Sequence, residues 1–93
     1  MLFGKKIREL RKEKGMLQRQ VAALLEIDGG LYSKIERGER KFKREQVQSL
    51  ANIFELNPEE LLTIWLADQI EEAVGDEKKK IAKEAIDTYC KTM

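Results

Sequence analysis

The chain has 93 residues, 42% of them apolar and 38% charged, with one Pro, three Phe, two Tyr, one Trp and no His. That length supports one compact core rather than two, the balance suits short amphipathic helices, and the scarcity of aromatic and β-branched runs speaks against a sheet. The net charge of +1 hides a split, because residues 1–44 hold 13 Lys/Arg against 6 Asp/Glu whereas residues 45–93 hold 5 against 11, which makes the first half a candidate polyanion-binding face.

A first helix is expected over about residues 3–14, with Ile7 and Leu10 inward, Lys5, Lys6, Arg8 and Lys12 outward, and Gly15 as its stop. A second, over about 18–25, gathers Val21, Ala22 and Leu25 on one face. Glu26-Ile27-Asp28 is then long enough only for a tight turn. The third helix, about 29–37, takes Asp28 as N-cap, points Tyr32 and Ile35 inward and ends at Gly38. Glu39-Arg40-Lys41-Phe42-Lys43 reads as a basic loop. The fourth helix, about 44–54, buries Val47, Leu50, Ala51 and Phe54 at i, i+3, i+4, i+7 spacing. Asn57-Pro58-Glu59-Glu60 supplies an Asn cap, a Pro at the first helical position and a glutamate three residues after the cap, so a fifth helix starts there and runs to Gly75. Asp76 is read as the cap of a last helix through about 91, whose Ile81, Ala82, Ala85, Ile86 and Tyr89 form a narrow apolar face. Lys78-Lys79-Lys80 is read as a solvated face, and there is no internal repeat or low-complexity linker.

Two short helices separated by a three-residue turn, the second followed by a basic loop, form the layout that places one helix in a DNA major groove. Ala22 is small where the helices must approach, and Ile27 is apolar where the turn must be pinned to the core. With Tyr32 and Ile35 holding the third helix down, Gly29, Gly30, Ser33, Lys34 and Arg37 are left outward, and Arg37, Arg40, Lys41, Lys43 and Arg44 make the positive edge that phosphate binding requires.

Gly15-Met16-Leu17-Gln18-Arg19-Gln20-Val21-Ala22 and Tyr32-Ser33-Lys34-Ile35-Glu36-Arg37-Gly38 resemble the phage-repressor-like Cro/cI (XRE-type) helix-turn-helix domains over about residues 3–66. The chain looks similar to small bacterial controller and repressor proteins, including controllers of restriction–modification genes. The resemblance implies an all-α fold, a five-helix repressor-like bundle with one additional C-terminal helix. The helix pattern, with its stop at Gly75, assigns residues 1–74 to the DNA-binding domain and 75–93 to an extension that either dimerises or completes the core. The resemblance also implies Gly29, Gly30, Leu31, Ser33 and Lys34 as base contacts, and Gln18, Arg19, Arg37, Arg40, Lys41, Lys43 and Arg44 as phosphate contacts. Gln18 either bonds a phosphate or props the reading helix, while Arg11 and Glu36 match a buried pair joining the first and third helices.

Three departures from the pattern matter. Leu17 stands where Thr or Ser usually caps the second helix, and Glu26 replaces the usual turn glycine, where a positive φ costs a non-glycine residue roughly 1 kcal/mol. Gly29-Gly30 opens the reading helix without side chains, so either the backbone approaches DNA closely or Leu31, Ser33 and Lys34 carry the specificity.

Enzymatic function is not expected: without His the commonest general base and metal ligand is missing, and no phosphate-cradling Gly-rich loop or metal-ligand cluster is present. No cofactor is called for. The lone Cys90 cannot form an internal disulfide, residues 61–67 are too short to span a bilayer, and no signal-peptide core opens the chain, so a cytoplasmic address is the default.

The expected function is that of a DNA-binding transcriptional regulator, a repressor or autoregulator, acting as a homodimer on an inverted-repeat operator in double-stranded DNA. Trp65, Leu66, Ile70, Ile81 and Tyr89 are the dimer candidates, although Trp65, at helical spacing with Leu61, Leu62 and Leu66, reads more readily as core than as interface. Two other readings stay open: a protein-interaction module, such as an antitoxin or a methyltransferase partner with secondary DNA binding, and a nonspecific DNA binder.

Overall fold

Apolar residues at helical spacing in the first two thirds of the chain converge on one core, in which Ile7, Val21, Tyr32, Val47, Leu50 and Ala51 are wholly excluded from solvent. The computed structural model describes residues 2–93 as six helices, α1 (Leu2–Glu13), α2 (Gln18–Leu24), α3 (Gly29–Glu36), α4 (Arg44–Ile53), α5 (Pro58–Val74) and α6 (Lys79–Lys91), with no strand among the described residues. The fold is therefore an all-α bundle with an added C-terminal helix. α3 packs on α1 and α2, and α5 packs on α1 and α4.

Four helix ends share one device, in which a residue with positive φ lets two backbone N–H groups turn back onto the last free carbonyls. Gly15 (φ +66°) does this for α1, where Met16 N–H donates to the Arg11 carbonyl at 3.0 Å, and Gly38 (φ +82°) does it for α3. After α2 and α4 the same position holds Glu26 (φ +58°) and Glu55 (φ +57°), and the same bonds form, from Ile27 N–H to the Ala22 carbonyl at 3.0 Å and from Leu56 N–H to the Ala51 carbonyl at 2.8 Å. A side chain in this region costs roughly 1 kcal/mol relative to glycine. The two chain reversals are otherwise matched: an apolar residue follows each glutamate and packs on the core, and an Asp or Asn then caps the next helix.

Two long-range contacts fix α1. Its first N–H groups find their acceptor 65 and 66 residues away, where Asp68 of α5 accepts from Leu2 N–H at 2.8 Å and from Phe3 N–H at 2.7 Å. Gly4 lies against the end of α3 so closely that a Cβ there would stand 2.5 Å from the Glu36 carbonyl oxygen.

The last helix departs from the sequence expectation. α6 begins at Lys79 rather than after Asp76, and Lys78 occupies its N-cap position without a side-chain bond. Gly75 takes φ +60° and the Glu77 N–H donates to the Val74 carbonyl at 3.2 Å, so the chain is still turning at Asp76 and the helix restarts only beyond it. α6 buries none of its residues.

Candidate nucleic-acid interface

The turn between α2 and α3 sets the site. Ala22 is buried where the two helices meet, and Ile27 packs half-buried on the core. Leu17 cannot accept a hydrogen bond, so only half of a capping box forms at α2: the Gln20 side chain accepts from the Leu17 N–H at 2.7 Å. Asp28 caps α3 fully, its Oδ2 accepting from Gly30 N–H at 2.9 Å and Leu31 N–H at 3.2 Å.

A buried charge network locks α3 in orientation. Arg11 grips Glu36 with two bonds, Nε to Oε2 at 2.7 Å and Nη2 to Oε1 at 3.1 Å, and its Nη1 donates to the Met16 carbonyl at 2.9 Å. Gln18 donates from Nε2 to Glu36 Oε1 at 3.1 Å, so its amide props α3 from α2. The Glu36 side chain is 2% exposed. Burial pushes its carboxyl upward, but hydrogen bonds from Arg11 and Gln18 outweigh this and hold it below the usual carboxylate range. The bond to Glu36 raises the Arg11 guanidinium against the opposing effect of burial. Burial first, and the neighbouring Glu36 carboxylate after it, push the Tyr32 phenol well above its ordinary value.

With Tyr32, Ile35 and Glu36 inward, α3 turns Gly29, Gly30, Lys34 and Arg37 to solvent. Leu31 and Ser33 are half-buried, Leu31 against the core, and the Ser33 hydroxyl accepts from Arg37 Nη1 at 2.7 Å. Arg37 also pairs with Glu39 at 2.5 Å, both side chains being more than half exposed. Exposed pairs of this kind contribute about 0–1 kcal/mol, so Glu39 holds Arg37 only weakly. Lys41 pairs with Glu72 of α5. Among the described residues, Arg19, Lys34, Arg40, Lys43 and Arg44 are exposed and form no ion pair with the chain.

Phe42 holds this basic edge in place. It is 3% exposed, stands edge-on to Phe3 with ring centroids 5.8 Å apart and tilts against Tyr32 at 6.1 Å. Its carbonyl accepts from Trp65 Nε1 at 3.0 Å. The signal for this anchor was a single aromatic flanked by Lys41 and Lys43. The Asp68 cap and the Gly4 approach had no local signal.

Trp65 is thus committed to the core and the basic loop and does not line the C-terminal groove, because its indole packs inward and its N–H is spent on Phe42. Leu66, Ile70, Ile81 and Tyr89 do come together, on an open apolar groove between α5 and α6. No helix among the described residues is long and apolar enough to cross a membrane.

Residues 4–64 match the model of a helix-turn-helix domain family, a span that runs from the close approach at Gly4 through the cap of α5 to Ile64. No curated protein and no solved structure matches the chain. The matched span contains the α2–turn–α3 unit, the Arg11–Glu36 lock and the whole basic edge, and the chain belongs to the helix-turn-helix family of the XRE/Cro-cI type.

Proposed function

We propose that the chain is a sequence-specific transcriptional regulator, a repressor or autoregulator, that lays α3 in the major groove of double-stranded DNA. The observation that carries this reading is the combination, on one side of a DNA-binding family's domain, of an outward α3 face with unpaired Arg40, Lys43 and Arg44 beside it. Phosphates take those cations, together with Arg19, Arg37 and Lys41, while Gln18 serves the site by bracing Glu36.

Base reading falls to Lys34, whose side chain is exposed, and to the open backbone at Gly29 and Gly30. Neither glycine has a positive φ, and a Cβ on Gly29 would meet nothing within 4 Å, so the fold does not require glycine at 29, whereas a Cβ on Gly30 would stand 2.9 Å from the Asp28 Oδ2 that caps the helix. A bare helix start allows the backbone closer to the groove than any side chain would. Ser33 contributes by holding Arg37, and Leu31, half-buried, offers an apolar edge of the kind that meets a thymine methyl.

The test is a salt titration of DNA binding with single variants. Arg40→Ala and Lys43→Ala should each weaken every sequence alike and shallow the slope of log K against log salt by about 0.9. Lys34→Ala should instead cost about 1–3 kcal/mol on the preferred site and relax one or two base pairs. Unchanged slopes for Arg40→Ala and Lys43→Ala would remove the phosphate assignment, and an unaltered site preference for Lys34→Ala would remove the base assignment.

A further inference from the structure

We propose that Glu72 of α5 stands in for a phosphate in the free protein, holding Lys41 until DNA displaces it, and so sets the affinity of the basic edge. Asp68, Glu71 and Glu72 follow one another on α5 at i, i+3, i+4 spacing, which turns them to one side of the helix. That side faces the loop after α3. Between the two lies a cleft of about 380 Å³, lined by Arg40 and Lys41 from the loop and by the three carboxylates from α5. The acids divide the work. Asp68 accepts the first N–H groups of α1, Glu72 takes Lys41, and Glu71 forms no ion pair among the described residues.

The spacing between loop and helix is fixed from both sides. The Phe42 ring packs against Phe3 and Tyr32, and its carbonyl accepts from Trp65 Nε1 at 3.0 Å. The residue next to Lys41 is therefore tied to α5 two helical turns before Glu72, on the same side of the helix. Folding thus delivers a carboxylate to Lys41, while Arg40, Lys43 and Arg44 have no ion-pair partner among the described residues. The Lys41 ammonium belongs to the edge assigned to phosphates, so DNA and Glu72 compete for one cation. DNA can win that competition, because the Lys41 side chain is 49% and the Glu72 side chain 62% exposed, and a pair so exposed is weak. A buried pair would withdraw Lys41 from the site altogether. With no pair, the loop would offer one more free charge to any polyanion. That DNA is the competitor rests on the regulator reading proposed above, while the contact between Lys41 and Glu72 does not.

Equilibrium binding of the full chain to random-sequence duplex DNA at fixed salt tests the competition. Glu72→Gln removes the charge at nearly constant size and should tighten binding about 2- to 5-fold, the factor expected for releasing one exposed pair. The gain should run through Lys41, so Lys41→Ala should weaken the Glu72→Gln protein by a larger factor than it weakens wild type. Glu84→Gln makes the same change in net charge at an exposed α6 position outside the cleft and should leave affinity unchanged. Weaker binding by Glu72→Gln would overturn the proposal, because the pair would then be positioning Lys41 for phosphate rather than withholding it. An equal gain from Glu84→Gln would overturn it too, by assigning the effect to net charge. Arg40→Ala and Lys43→Ala in the same titration separate this proposal from the reading beneath it. If they weaken binding and Glu72→Gln fails to tighten it, the competition is refuted and the DNA reading stands. If neither they nor Glu72→Gln alters binding, the DNA reading falls, and the competition falls with it.

Discussion

Helices α4 and α6 carry apolar stripes of the same kind and meet opposite fates. In α4, Val47, Leu50 and Ala51 face inward and are wholly excluded from solvent, and Phe54 just after it is buried too; in α6, Ile81, Ala85, Ile86 and Tyr89 all remain exposed. The same contrast divides the chain along α5: the buried residues end at Leu61, while Leu62, Ile64 and Trp65 still pack half-buried against the core, and none of the residues beyond is buried. An amphipathic stripe marks a face suited to burial, and the core of this chain covers only one of the two. Stability should accordingly be concentrated in the helices that build the core, and substitutions in the α6 stripe should leave it nearly unchanged.

The largest effect expected from that division is at Glu36. Glu36→Ala leaves Arg11 charged and unpaired within the fold and should cost about 3–5 kcal/mol, while Arg11→Met with Glu36→Leu should recover much of it. Denaturant melts of the three proteins check this, and a single variant within a degree or two of wild type would place the pair outside the core. The pH dependence follows from the same carboxylate. Its folded pKa lies below the ordinary value of 4.5, so its stabilising contribution is complete above that value and is lost as pH falls through the lower folded pKa. Wild type should lose stability below about pH 4.5, and Glu36→Gln should show a flatter acid limb.

Next in size is the contact at Gly4. A Cβ there meets backbone carbonyl rather than a movable side chain, so Gly4→Ala should destabilise by about 1–3 kcal/mol. Gly29→Ala, which meets nothing, should stay within about 0.5 kcal/mol of wild type. Equal melts for the two would show that α1 and α3 are not in close contact at Gly4.

Smaller, and opposite in sign, is the change expected at the strained turns. Glu26→Gly and Glu55→Gly should each stabilise the domain by about 1 kcal/mol, because glycine adopts their φ values without a steric cost. A destabilised Glu26→Gly variant would mean that the glutamate makes a compensating interaction.

Smallest of all should be the effect of truncating the α6 stripe. Ile81→Ala, measured where the protein is monomeric, should shift stability by less than about 0.5 kcal/mol, against about 2–5 kcal/mol for Leu50→Ala. A comparable loss at both positions would erase the distinction between the two stripes.

How much of this could be read from the chain follows the range of the interaction. The helices and their order were legible because i, i+3, i+4 spacing, the Asp28 and Asn57 caps and the Gly15 and Gly38 stops act within a few residues. The strain at Glu26 was legible because the turn has a fixed place for a positive φ. Asp68 capping α1 from 65 residues away, Gly4 meeting the Glu36 carbonyl and Trp65 bonding the Phe42 carbonyl were not, since each depends on two distant segments meeting at a distance no local pattern encodes. The late start of α6 was missed because Asp76 is a good cap by residue type, while the backbone that follows Gly75 is still in a turn. Within the candidate site, the outward polar residues of α3 were legible from the inward pair Tyr32 and Ile35. The engagement of Ser33 by Arg37, and of Lys41 by Glu72, was not.

The measurement that bears most directly on the function is a binding-site selection from random double-stranded DNA with the full-length chain. On the proposed regulator reading, the α3 face and the basic edge predict enrichment of a defined site rather than a random pool. Pools that remain random after repeated rounds, while the protein still binds them in a salt-dependent way, would contradict sequence-specific regulation and reduce the chain to a nonspecific DNA binder.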